Sequence, residues 1–158
     1  MGLLTPLAVR IGAISWMPKL LPQIVAVDRL VQKTSAGRLT ILDVAGLPNL
    51  MLTVVGRKSG LPRSTPLLCV PHGDVIYVAG SYFGGPKEPL WVKNVEANPA
   101  VTVRLKGRTS ERVARLLEGE DRAQAWKVML KTWPNFALYE QKTDRLIKVF
   151  ELGAAQRT

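Results

Sequence analysis

From Asn49 to Gly107 the chain alternates short apolar runs with glycine- and proline-rich breaks, the pattern of strands joined by tight loops. "NLMLTVVG" (Asn49–Gly56) is rich in aliphatic and β-branched residues and reads as a strand ending at Gly56. "STPLLCV" (Ser64–Val70) reads as the returning strand, "PHGD" (Pro71–Asp74) as a turn and "VIYVAG" (Val75–Gly80) as the next strand. "AVTVRLKG" (Ala100–Gly107) sets Val101, Val103 and Leu105 against Thr102, Arg104 and Lys106, which predicts a half-buried strand with one cationic face. "RVARLLE" (Arg112–Glu118) and "LIKVFEL" (Leu146–Leu152) read as two further strands.

Helical spacing appears in three places after residue 80. "PLWVKNVEAN" (Pro89–Asn98) predicts a short helix: Pro89 suits a first turn, and Asn98 before Pro99 stops it. From Gly119 the acids come first, then Trp126, Met129, Leu130 and Trp133 at i, i+3, i+4 and i+7, an amphipathic helix. "PNFALYEQKTDR" reads as a further helical turn. Strands and helices do not alternate regularly, which excludes a doubly wound parallel sheet. The pattern predicts an α+β chain, a small and mainly antiparallel barrel with helices over its openings.

The N-terminus is apolar, with Asp28 as its first acid, and Arg10, Lys19 and prolines interrupt it. It has neither the charge order of a signal peptide nor an uncharged run near the roughly 20 residues that cross a bilayer. It divides the chain into an N-terminal helical segment, 1–37, and a barrel domain, 38–158, with "SAGR" (Ser35–Arg38) at the join. The segment reads as helices packed on the domain or covering a pocket. The sharper reading is an interfacial amphipathic helix, giving peripheral membrane contact through residues 1–30.

With 158 residues the chain fits one domain, and its net charge of +10 points to anionic partners. Nucleic acid is disfavoured, because Arg104, Lys106, Arg108, Arg112 and Arg115 have no aromatic residue among them. One cysteine, Cys69 in an apolar run, and one histidine, His72 in a turn, leave too few ligands for a Cys/His zinc site. They also leave no disulfide, so the setting expected is reducing and cytoplasmic. No nucleophile–base pair and no metal-ligand cluster is visible. An enzyme built this way would take its chemistry from a bound cofactor.

Three stretches could hold such a group. "GRKSGLPRSTP" (Gly56–Pro66) carries Arg57, Lys58 and Arg63, and no Asp or Glu occurs between Val44 and Gly73. Gly56 and Gly60 bracket Arg57, Lys58 and Ser59, where backbone N–H groups could turn toward an anion and the cations could grip phosphate or carboxylate. A solvated basic hairpin fits the same residues. "SYFGGPKEPLWVKN" joins a glycine-rich loop to Trp91 and Asn94, at i and i+3 on one helix face; these are a stacking surface and a polar partner, or core and surface residues. Trp133, Phe136 and Tyr139, spaced by three, share one side of a helical turn, as a binding wall or as core aromatics.

Taken together, "LTVVGRKSGLPRSTPL", "VAGSYFGGPKEPLWVKNVEANPAVTV" and "WPNFALYEQKTDR" resemble the deazaflavin-dependent nitroreductase family over about Leu50 to Leu152. That family consists of split β-barrel reductases, FMN-binding-like in fold, that use coenzyme F420. The resemblance implies hydride transfer from reduced F420 to an activated alkene, a quinone or a similar small apolar acceptor; the alternatives are an FMN-binding split-barrel oxidoreductase and a non-catalytic F420-binding module. It implies that Arg57, Lys58, Ser59, Gly60 and Arg63 hold the cofactor's phosphate and glutamate tail, and that Ala79, Gly80 and Ser81 line its ring, with Trp91 and Asn94 beside it. Trp133, Phe136 and Tyr139 would border the substrate, and Ser81 or Tyr139 would hydrogen-bond the oxygen on which charge builds. Two departures stand out. Tyr82 and Phe83 precede Gly84 and Gly85 where many members have one basic or aliphatic residue, and only Tyr139 of the aromatic triplet is a tyrosine.

Overall fold

The structure, a computed structural model, describes Gln23, Ala26, Leu30 and residues 46–155. Apart from those three helical, exposed positions, the expectations for the N-terminal segment, its linker and its membrane contact lie outside the described residues.

Seven strands follow one another as β1 (Asn49–Val55), β2 (Pro62–Leu68), β3 (Val70–His72), β4 (Val75–Ala79), β5 (Ala100–Leu105), β6 (Arg108–Leu117) and β7 (Val149–Ala154). Three helices are interleaved: α1 (Leu90–Ala97), α2 (Gly119–Thr132) and α3 (Asn135–Lys142). The strand order is β2-β1-β5-β6-β7-β4-β3, and every pair is antiparallel.

The two ends of that order, β2 and β3, are consecutive in the chain and separated by Cys69 alone. Cys69 is fully buried, and its N–H donates to the Pro48 carbonyl at 3.0 Å. Before Cys69 the chain pairs with β1; after it the chain pairs with β4, so one extended segment joins the two ends of the sheet and curls it into a barrel. The sequence reading of one strand followed by a turn from Pro71 is corrected here. Pro71 and His72 continue the strand, facing Ile76 and Val75.

Alternation on the strands makes two apolar surfaces. Leu50, Leu52, Val54, Ile76, Val78, Val101, Val103, Phe150 and Leu152 point into the barrel. Trp91, Val92 and Val95 of α1 join them, so α1 closes one end. Val70, Tyr77, Ala79, Leu117 and Val149 point outward and form a second surface under α2 and α3. These two helices pack on that surface because the outward positions there are apolar too.

The β5–β6 hairpin turns on Lys106 (φ 49°) and Gly107 (φ 76°), the positive dihedrals that two-residue hairpin turns require. As a result β6 begins at Arg108, four residues before the predicted strand. Its polar start, Arg108 to Glu111, gives no hydrophobic signal but pairs fully with β5. Strand β7 starts later than predicted, at Val149, since Arg145 and Lys148 bind other segments.

Trp133, Phe136 and Tyr139 are buried, with 4%, 2% and 1% exposure. Phe136 meets Trp126 at 5.4 Å between ring centres and Tyr139 edge-on at 6.2 Å. The Trp133 indole N–H donates to the Tyr139 hydroxyl at 3.2 Å. In the structure the three rings expected to border a substrate pack into the second core. Burial pushes the Tyr139 phenol up to about 12, outweighing the opposite effect of its hydrogen bonds with Trp133 and Asn135.

Two measurements check this. The fold favours the neutral phenol, so the stability it contributes is whole below the unfolded value of about 10 and is lost as pH rises through about 12. Of the three tyrosines, one should give its phenolate absorbance only in that alkaline range, together with loss of stability. Phe136→Ala should destabilise the chain by about 3–5 kcal/mol in urea. A loss below about 1 kcal/mol would mean the ring faces an open pocket.

Candidate functional site

The β1–β2 connection, residues 56–61, is a compact turn held from within. Gly56 N–H donates to Leu61 O and Gly60 N–H to Gly56 O, both at 2.8 Å, and Leu61 N–H donates to the Ser59 hydroxyl at 3.2 Å. Arg57 N–H donates to Asn94 Oδ1 at 3.1 Å. Four N–H groups of the turn are therefore engaged inside the protein, and Gly60 is not free to cradle an anion. What remains outward is charge: Arg57, Lys58 and Arg63 are exposed, and among the described residues none of them is in an ion pair. Arg63 lies on β2 opposite Val54, with its stem across Gly56. The three cations thus share one rim of the barrel.

Asn94 reaches this turn from α1. It is buried, and its carboxamide oxygen also accepts from Arg57 Nη1 at 3.5 Å. Asn98 adds a second tie from the same helix, donating to Val55 O at 3.2 Å. Trp91, one turn earlier, packs inside the barrel against Phe150 with ring centres 5.7 Å apart. Of the pair expected beside a cofactor, Trp91 lies in the barrel core and Asn94 holds the cationic turn in place.

The other end of α1 meets the loop after β4. A methyl group at Gly80 would lie 2.6 Å from Val92 Cγ2, so only glycine allows helix and loop to approach this closely. Gly84, at φ 76°, is pressed against α3: a Cβ there would come within 2.8 Å of the Tyr139 carbonyl. The Ala79 side chain is partly buried and packs against the second core. Ser81 is half-exposed at the head of the 3-10 turn Tyr82–Gly84, and its hydroxyl caps nothing.

Two cations that the sequence reading passed over hold this loop. The Arg145 guanidinium donates to the carbonyls of Gly80 at 2.9 Å, Ser81 at 2.9 Å and Gly85 at 3.1 Å. Burial lowers its pKa, and the charge of Glu88 partly offsets that shift. Lys148 pairs with Glu96 of α1 and with Glu88 of the loop, the latter at 3.2 Å; its pKa is raised, most of all by Glu96. Local pattern could not reveal this. Arg145 grips atoms 60 to 65 residues away in the chain.

The described residues thus present an outward cationic rim and a rigid loop with one uncommitted hydroxyl, both fastened to one eight-residue helix about 12 Å long. Among them no group of His, Cys, Asp and Glu could hold a metal ion, and no helix is long and apolar enough to cross a membrane.

Comparison with known proteins bears on this arrangement. An F420H(2)-dependent quinone reductase of Mycobacterium tuberculosis is 26% identical over 133 residues, covering 82% of this chain and 89% of its own. Among solved structures, an F420-H2 dependent reductase of the FDR-A type is 42% identical with a TM-score of 0.62, over 66% of this chain and 93% of its own. A chain solved as a domain-swapped dimer is 36% identical with a TM-score of 0.65, over 80% of this chain and 93% of its own. The sequence profile of the F420H(2)-dependent quinone reductases matches residues 25–153, and with the barrel and its solved relatives it places this chain in that family: it is a split β-barrel oxidoreductase that uses reduced coenzyme F420.

Proposed function

We propose that this chain reduces small apolar quinones, with Arg57, Lys58 and Arg63 holding the phosphate and glutamate tail of F420 and Ser81 facing the acceptor. The observation that carries the reading is the cationic rim. Three exposed cations stand together without an ion pair among the described residues, on a turn whose shape is maintained by its own hydrogen bonds and by Asn94. A tail of successive negative charges fits cations presented in this way. Ser59 and Gly60 shape the turn, and Gly80 lets α1 close on the loop where the ring would sit. The family match favours the deazaflavin over FMN.

Reduced deazaflavin, when bound, supplies a hydride. The protein's part is to orient donor and acceptor and to stabilise charge on the acceptor oxygen. The Ser81 hydroxyl makes no capping bond and lies beside the loop carbonyls that Arg145 fixes, so it can donate to that oxygen while solvent provides the proton that completes the quinol. Tyr139, the other expected donor, is buried and bonded to Trp133, so the role falls to Ser81. Cytoplasmic placement and contact of residues 1–30 with the inner face of the membrane remain part of this proposal, supported by an apolar substrate class and the basic, apolar N-terminal sequence.

Fluorescence titration of F420 tests the rim. Lys58→Ala should weaken binding by about tenfold, the low end for a charge-assisted contact at an exposed position. Raised salt should weaken wild-type binding, and a deazaflavin fragment without phosphate and glutamates should not distinguish mutant from wild type. Equal losses for both ligands would sink the tail-binding role.

Arg145→Met tests the loop. Removing three donors should speed hydrogen exchange at Gly84 and Gly85 by about tenfold or more, and should lower kcat more than F420 affinity. Unchanged exchange at those amides would show that the loop holds its shape without the clamp.

A further inference from the structure

Tyr82 follows Ser81, and its backbone is unusual. Its φ is 47°, in the left-handed region that a bulky side chain rarely enters. The surroundings enforce this. Gly84 N–H donates to Ser81 O and Gly85 N–H to Tyr82 O, each at 2.9 Å, and Arg145 holds the carbonyls on both sides. The ring edge rests against Gly85, where a methyl group would come within 3.1 Å of Cδ1 and 3.9 Å of Cε1. Despite this restraint the side chain is not buried: Tyr82 is 43% exposed. The loop thus carries a strained backbone in order to present an aromatic ring outward, an arrangement that clusters at functional positions. Leu90 and Leu146, 70% and 65% exposed, adjoin Pro89 and Arg145, which both touch the same loop.

We infer that Tyr82 is a specificity-determining wall of the acceptor site, a rigid aromatic face against which a flat quinone ring stacks while Ser81 meets its carbonyl oxygen. The inference rests on the proposed function and goes beyond it by naming what selects an aromatic acceptor. Phenol and indole rings offer such stacking at low cost in side-chain entropy. Any residue that kept the loop closed without a ring would hold the cofactor equally well and the quinone less well.

The test compares Tyr82→Gly and Tyr82→Phe with the wild-type chain, using menadione as acceptor and F420 fluorescence as an independent binding signal. Glycine suits the positive φ, so Tyr82→Gly should melt no lower than wild type and bind F420 within about twofold. Its KM for menadione should rise about five- to tenfold with kcat little changed, the scale of one lost stacking contact. Tyr82→Phe should keep the wild-type KM. An unchanged KM in Tyr82→Gly, or a raised one in Tyr82→Phe, overturns the stacking role. A clear drop in melting temperature for Tyr82→Gly shows the ring to be packing for Gly85 and overturns it as well. If the wild-type chain binds no F420, the cofactor reading itself fails, and this inference with it.

Discussion

The chain's change of partner at Cys69 is the constraint on which the rest of the structure depends. One nearly continuous extended segment, Pro62 to His72, pairs with β1 on one half and with β4 on the other. That joins the two ends of the strand order, so the sheet curls and closes. A buried thiol is small enough to sit at the bend, and the Pro48 carbonyl takes the N–H that the broken ladder would strand. Closure puts an interior under β1 and β4 together, and α1 then covers its end.

Helix α1 is accordingly more than a cap. Its inner face buries Trp91, Val92 and Val95 in the barrel. Its polar positions reach outward to the two loops that could meet a ligand. Asn94 and Asn98 tie the β1–β2 turn and its strand, and Glu96, through Lys148, ties the segment before β7. Cationic rim and serine loop are therefore positioned by one rigid body. Among the described residues the cations of the rim have no ion pair, and Arg57 N–H is tied to Asn94, which leaves their charge available to a polyanionic ligand.

The loop after β4 is fastened twice, by Arg145 on its carbonyl oxygens and by Lys148 on the Glu88 carboxylate. Arg145 binds three carbonyl oxygens, neutral acceptors, so the clamp adds positive charge to the region without cancelling any. The cost is desolvation of the guanidinium, visible in its lowered pKa. On the far side α3 presses on Gly84, and the aromatic residues of α2 and α3 form the second core beneath it. These aromatics stiffen the platform on which the loop rests.

Most of the strands, the long helix α2 and the amphipathic direction of β5 were legible in the sequence, because each depends on the alternation of side chains over neighbouring residues. The composition of the β1–β2 loop, with its cations and missing acids, was equally legible, and motif order sufficed to recognise the family. Tertiary structure decided what needs partners distant in sequence. It set the strand break at Cys69, the early start of β6 under a polar stretch, and the assignment of Trp91, Phe136 and Tyr139 to cores. It also gave Gly60 and Asn94 hydrogen bonds within the protein, and it brought Arg145 to the loop near Ser81 across more than 60 residues. The physical reason is common to all of these. A sequence specifies which groups can bury area or form hydrogen bonds, but the direction each group points, and the partner it meets, is set by closure of the barrel.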